Sequence, residues 1–197
     1  MKHLIICLGI IIGLFNLGHA QTTAEQGKKS DEVVMKMRQI DLLNQIVPLA
    51  LKKDQINALL PVIERARAKV AQVEKDEANT LAKLDSKISA AIKKSIEENT
   101  PPPKELSMEL AKATQDMSDR RLLVVSENTE AVLKVFNDTL DAGQKKVAAN
   151  SFAAAYINPN VKPDEIKESE KINFFIREVL LDPQAYDLLI ELAKHVS

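Results

Sequence analysis

The sequence has one cysteine, no tryptophan, three histidines and five glycines in 197 residues. The cysteine, Cys7, lies in an apolar run at the amino terminus, so no disulfide or thiol chemistry is available after residue 20. In that remainder His195 is the only histidine, and Gly27 and Gly143 are the only glycines. Tight β-turns draw on glycine, and half-buried strands need alternating β-branched residues. Both are missing, and the expected class is all-α. The sequence also has no Gly-rich phosphate loop, no Ser/His/acid set and no His/Cys cluster. Glu74, Asp76 and Glu77 cluster in sequence, but Asp76 and Glu77 point in different directions on a helix. The chain therefore reads as a non-enzyme, with no cofactor and no metal.

An excess of one charge is missing too. Only Lys2 of the 27 basic residues lies in the first twenty, which leaves 26 against 28 acidic residues and a net charge of −2. That gives no electrostatic footprint for nucleic acid. Basic and acidic residues alternate along the chain, as on solvated helix faces.

At the amino terminus Lys2 precedes an almost wholly apolar stretch, Leu4 to Leu17, and then Gly18-His19-Ala20. This is the pattern of a secretory signal peptide, residues 1–20, with cleavage expected after Ala20. A retained anchor would need ~18–20 apolar residues to span a bilayer. Cys7 lies inside the run, whereas a lipid-attachment cysteine would follow it. After cleavage no membrane-spanning segment is expected.

Residues 21–30 are polar and read as a flexible lead. Ser30 is placed to cap a helix running to about Ala50, with Asp31 and Glu32 in its first turn. Val33, Met37, Ile40, Leu43 or Ile46, and Val47 form its expected inward stripe, and Pro48 bends or frays its end. Met35 and Met37 invite a Cu(I) reading, because thioethers suit that ion. Two residues apart on a helix they diverge, and no His or Cys is near. Core packing or a soft apolar contact surface fits them better.

The chain is organised around residues 54–140. Ile56, Leu59, Ile63, Ala66, Val70, Val73, Leu81, Leu84, Ile88 and Ala91 mark one seam of a helix from about Asp54 to Glu98. Pro61 should kink it, and the seam passes through Glu77 by two steps of four, a stutter. The stretch Thr100-Pro101-Pro102-Pro103 cannot be helical, and Pro103 suits the start of the next helix. A second stripe follows: Leu106, Leu110, Ala113, Met117, Arg121, Val124, Asn128, Val132, Val135. A helix of that length needs a partner, so the two arms are expected to fold into a long antiparallel helical hairpin, residues 31–157 including flanking helices. Facing residue numbers should sum to about 201. Glu77 then falls between Arg121 and Asn128. It either forms a polar notch that fixes register, or both long side chains reach past the seam to water.

Leu51-Lys52-Lys53-Asp54-Gln55 opens the first arm, and Leu140-Asp141-Ala142-Gly143-Gln144 follows the second. In each, the residue after Leu is the N-cap, and the Gln at N3 can bond back to the N-cap amide. Asp141 is a good cap, but Lys52 offers no acceptor. The two copies should lie side by side at the open end of the hairpin. A helix from Ala142 to about Ile157 follows, with Val147, Phe152, Ala155 and Tyr156 as inward candidates. Residues 158–197 should form a helical pair. The first helix starts at Pro163-Asp164-Glu165 with the stripe Ile172, Phe175, Ile176, Val179. The second starts at Asp182-Pro183 and carries Leu188, Leu189, Leu192 and Val196. The pair packs on the base of the hairpin or on a second copy. His195 suits a helix C-terminus.

A signal peptide, a long helical hairpin and two Leu-x-x-x-Gln helix starts resemble the Spy/CpxP family of bacterial periplasmic proteins over residues 31–157. That family repeats a Leu-Thr-x-x-Gln motif, matched here by Leu51 with Gln55 and Leu140 with Gln144. Lys52 and Asp141 stand where the motif has threonine. The resemblance implies a cradle-shaped homodimer, a periplasmic or secreted location, and an ATP-independent chaperone (holdase) or stress-adaptor role. Metal sensing, known among similar proteins with His-rich sites, does not carry over, because those ligands are missing. Candidate contacts to unfolded clients are Met35, Met37, Arg65, Arg67, Arg120 and Arg121, each of which also fits ordinary core or solvated surface. The alternative is a structural or interaction protein that docks an envelope partner by helix pairing. A broad apolar stripe left open on the outer face of the hairpin would favour it.

Overall fold

The computed structural model describes residues 24–158, 160, 162 and 165–197. Residues 1–20, the expected signal segment, lie outside the described residues. The chain divides into two compact units, Met1–Lys36 and Met37–Ser197. Among the described residues the secondary structure is helical and no strand occurs, and no helix is long and apolar enough to cross a membrane.

Helix α1 spans Ala24–Ile46. It begins before Ser30, which lies inside the helix and does not cap it, so the described residues of the 21–30 lead are helical. Of the expected inward stripe, Ile46 is buried, whereas Val33, Met37, Ile40 and Val47 are exposed, and the other buried residues of this region are Leu42 and Leu49. A single 3-10 turn, Val47–Leu49, follows with Pro48 in its first positions, where a missing amide hydrogen does no harm. Ala50 then takes a left-handed conformation, φ 47°.

Helix α2, Lys53–Glu98, is about 69 Å long at 1.5 Å per residue and carries Pro61 inside it. Asn99, in the left-handed conformation, closes it, and its N–H donates to Ser95 O. Asn tolerates that conformation better than most residues. After Asn99–Pro103, helix α3 runs Lys104–Thr139. Side chains link α2 to α3, with partners on α3 that fall from Glu127 to Glu109 as α2 runs from Lys69 to Lys87: Lys69 with Glu127, Asp76 with Arg120, Glu77 with Arg121, and Lys87 with Glu109. Their paired numbers sum to 196 or 198. The buried residues of α2 are Gln55, Ile56, Leu59, Val62, Ile63, Ala66, Val73, Glu77 and Leu84. Val70 and Leu81, expected in the seam, are exposed, and half-buried Thr80 takes the place of Leu81. A position one residue off the seam swings by 100° on a helix, and here the seam shifts by one residue just after Glu77.

Helix α4 covers Ala142–Ala149 and α5 only Ala154–Ile157, so the single helix expected over 142–157 is interrupted. Ala148 and Ala149 are its buried residues, whereas Val147 and Tyr156 are exposed. Phe152 packs edge-on to Phe174, with centroids 5.1 Å apart. Helix α6 is Glu168–Phe175 and continues as a π-helical turn, Ile176–Leu180. The expected start at Pro163-Asp164 lies outside the described residues. Helix α7, Ala185–Ala193, follows Asp182, whose Oδ1 accepts from Gln184 N at 2.9 Å. Ile172, Phe175, Ile176, Val179 and Leu189 are buried against Ile56, Leu59, Ile63, Val132 and Phe136 in one core. Phe136 and Phe175 sit at its centre, 6.3 Å apart. Arg38 ties α1 to this region: Nε donates to Asp182 Oδ2 at 2.9 Å and Nη2 to Glu178 O at 2.8 Å.

Candidate functional site

Gln55 and Gln144 meet directly. Each Nε2 donates to the other's Oε1 at 2.9 Å, a reciprocal amide pair. Each Oε1 also accepts the backbone N–H three residues earlier, Lys52 N at 2.9 Å and Asp141 N at 3.0 Å. The remaining donors are used as well: Gln55 Nε2 reaches Thr139 O at 3.0 Å and Gln144 Nε2 reaches Leu49 O at 3.1 Å. Two helix starts, the end of α3 and the turn after α1 are thus joined through two side chains. Leu51 and Leu140, the other halves of the motifs, are buried in the core beside them. The capping differs between the copies. Asp141 Oδ1 accepts from Gln144 N at 2.9 Å, closing a capping box. Lys52 has no acceptor, and Asp54 Oδ1 takes the Gln55 amide instead, at 2.9 Å. Every polar group of the pair is accounted for by structural bonds, so the geometry makes it a clamp.

The second polar feature lies between α2 and α3. Arg121 Nε donates to Glu77 Oε1 at 2.7 Å, and Nη2 bonds Oε2 in a two-point contact. The Glu77 side chain is 5% exposed and that of Arg121 is 67% exposed. Each of the two readings of this site holds for one partner: the carboxylate is buried, and the guanidinium reaches out to water. The bond from Arg121 holds the Glu77 carboxyl below the ordinary carboxylate range, against burial, with the charges of Arg121 and Arg120 assisting. Glu77 in turn raises Arg121 through the same bond. Asn128 does not join them. It is buried, and its Nδ2 donates to Ala66 O at 3.2 Å.

The candidate contact residues are dispersed. Met35 and Met37 are exposed on α1, and Arg65 is exposed on α2. Arg67 lies over the Tyr186 ring, 4.7 Å from its centroid, and 3.8 Å from Asp187. Arg120 reaches Asp76 at 3.3 Å. No family model, curated protein or solved structure matches this chain.

Two surface features complete the site. Leu81, Ile92 and Ile96 on α2 and Leu123 on α3 are exposed among charged neighbours, whereas Met108, Leu122 and Val125 are exposed together on one flank of α3. A groove of about 340 Å³ lies between α2, α3 and the turn that follows α6, lined by Ala66, Val70, Val125, Asn128, Arg177 and Leu181. Sequence reasoning missed Arg38, Asp54 and the carbonyls of Leu49 and Thr139. A lone arginine in an amphipathic helix carries no signal of its partner, and backbone acceptors carry no signal at all.

Proposed function

We propose that this protein is an exported, Spy/CpxP-like helical protein that acts in the periplasm or outside the cell as an ATP-independent holdase or stress adaptor. It would bind partly unfolded or envelope proteins on the surface of a long antiparallel helical hairpin and work as a homodimer. The observation that carries this reading is the exposure of large apolar side chains, scattered among Lys, Arg, Asp and Glu, along α2 and α3. Isolated apolar contacts among charges hold a client weakly and release it without an energy source, whereas a continuous apolar face would bind one partner tightly. The clamped pair of Leu-x-x-x-Gln motifs supports the resemblance, and the near-constant sums of the paired residue numbers between α2 and α3 support the hairpin.

The test is aggregation suppression. A heat- or dilution-unfolded client is followed by light scattering without ATP, with an inert helical protein as control. Suppression at near-stoichiometric ratios with several unrelated clients is the expected result, and no effect on any of them refutes the holdase reading.

One observation favours a structural or interaction protein that docks an envelope partner by helix pairing. The outer flank of α3 is open and uncharged around Met108, Leu122 and Val125. Affinity capture with the purified protein as bait, followed by mass spectrometry, would return one stoichiometric partner on that reading and a broad mixture on the first.

A further inference from the structure

Along α3, Met108, Ala111, Gln115, Ser118, Leu122 and Val125 recur at alternating steps of three and four. At 100° per residue they share one stripe, centred roughly 120° around the helix from the side packed on α2. All six are exposed, with Met108 at 64%, Leu122 at 50% and Val125 at 39%. Every charged residue from Glu105 to Glu130 falls off this stripe.

We propose that this stripe is the contact face for a second copy of the chain, with the two α3 helices antiparallel about a twofold axis between Gln115 and Ser118. Setting Gln115 opposite Ser118 of the second copy also sets Ala111 opposite Leu122 and Met108 opposite Val125. A small residue then receives a large one, and apolar pairs close both ends. The two remaining polar groups, an amide and a hydroxyl, meet near the axis, where each can hydrogen-bond the other. The flank is complementary as well: Lys112 comes beside Asp119 of the second copy, and Asp119 beside its Lys112. In the single chain Lys112 Nζ contacts Asp116 at 2.6 Å, and Asp119 accepts from Gln115 Nε2 at 2.7 Å. Both are exposed contacts four residues apart, of the weak kind that exchanges readily. A parallel pairing lacks these matches, because it stacks Ala111 on Ala111 and leaves Lys112 and Asp119 without opposite partners. These matches of size and charge within one stripe favour a second copy as its occupant. This assigns a surface to the homodimer of the preceding reading, and its failure leaves the client-binding test untouched.

Sedimentation equilibrium of the purified protein from about 1 to 300 µM tests it, with far-UV circular dichroism to confirm folding. The wild type is expected to dimerise within that range. Leu122→Glu puts a charge in the stripe and should weaken the dimer at least about tenfold. Leu123→Glu alters an equally exposed leucine off the stripe, 58% exposed, and should leave the dimer within about twofold of wild type. Lys112→Asp should weaken the dimer, and adding Asp119→Lys should restore it. Because these two residues are exposed, the charge exchange carries the test even if Leu122→Glu perturbs folding. A monomer at every concentration, equal effects of the two leucine variants, or no rescue by the exchanged charges would each overturn the proposal.

Discussion

Removing either half of the Glu77–Arg121 pair breaks the same two hydrogen bonds, yet the two removals should not be equivalent. Arg121→Met leaves a carboxylate that is 5% exposed without its donor, while the arginine it replaces was 67% exposed. A hydrogen bond to a charged group contributes about 1.5–3 kcal/mol, and stranding a buried acceptor forfeits it. We expect Arg121→Met to lose about 2 kcal/mol at pH 7. Glu77→Leu strands nothing, because the guanidinium already reaches water and the new side chain is apolar. That substitution should be neutral, or stabilising by about 1 kcal/mol, as when a buried ion pair is replaced by hydrophobic residues. The double variant should match Glu77→Leu, a coupling that only a double-mutant cycle reveals. The pH dependence follows from the lowered pKa of Glu77. A carboxylate held below its unfolded value stabilises the fold above that value, ~4.3 for Glu, and the contribution is lost as pH falls through the folded value. The gap between wild type and Arg121→Met should thus be full at pH 7 and narrow as pH falls below the unfolded value, ~4.3. Urea denaturation followed by circular dichroism measures both effects. Equal losses for the two single variants at pH 7, or a gap that does not narrow on acidification, would refute the reasoning.

Further substitutions probe three other parts of the structure. Gln55→Leu or Gln144→Leu should each cost about 1–3 kcal/mol in urea denaturation by orphaning a helix-start amide and a carbonyl. The double variant should lose less than the sum, because one change already breaks the mutual bonds. Ala50→Gly should stabilise by about 0.5–1 kcal/mol, since a left-handed alanine is strained and glycine is not; a lower midpoint would refute it. Asp182→Ala removes both the Gln184 amide acceptor and the Arg38 partner and should cost about 1–2 kcal/mol, with Arg38→Met showing only part of that loss.

What could be read from the sequence was what repeats locally. The all-α class follows from the scarcity of glycine and alternation, and the α2 face from Ile56, Leu59 and Ile63 at helical spacing. The Leu51/Gln55 and Leu140/Gln144 starts were visible because an N-cap motif is confined to five residues. Their hydrogen bonds to Thr139 and Leu49 were not, because backbone acceptors look the same in every sequence. The face of α1 was misjudged for a related reason. Val33, Met37 and Ile40 have good helical spacing, and so do Leu42, Ile46 and Leu49. Spacing shows that a helix has an apolar side but does not choose between two such sides. That choice belongs to the tertiary contacts, here Arg38 with Asp182 and Leu42 in the core. Leu81 lost its place to Thr80 at the stutter, where one residue of drift is undetectable by periodicity.

The buried residues of α2 end at Leu84, and those of α3 begin only at Asn128. One helix therefore joins two regimes of stability. Near Ile56 and Phe136 an amide can exchange its hydrogen only when the whole core opens, whereas around Ile88 and Leu110 two helices can fray apart and close again while the core stays intact. Exchange measured residue by residue along α2 would fall in two steps, and any macromolecule that settles on the far segment would register first as a slowing of its amides.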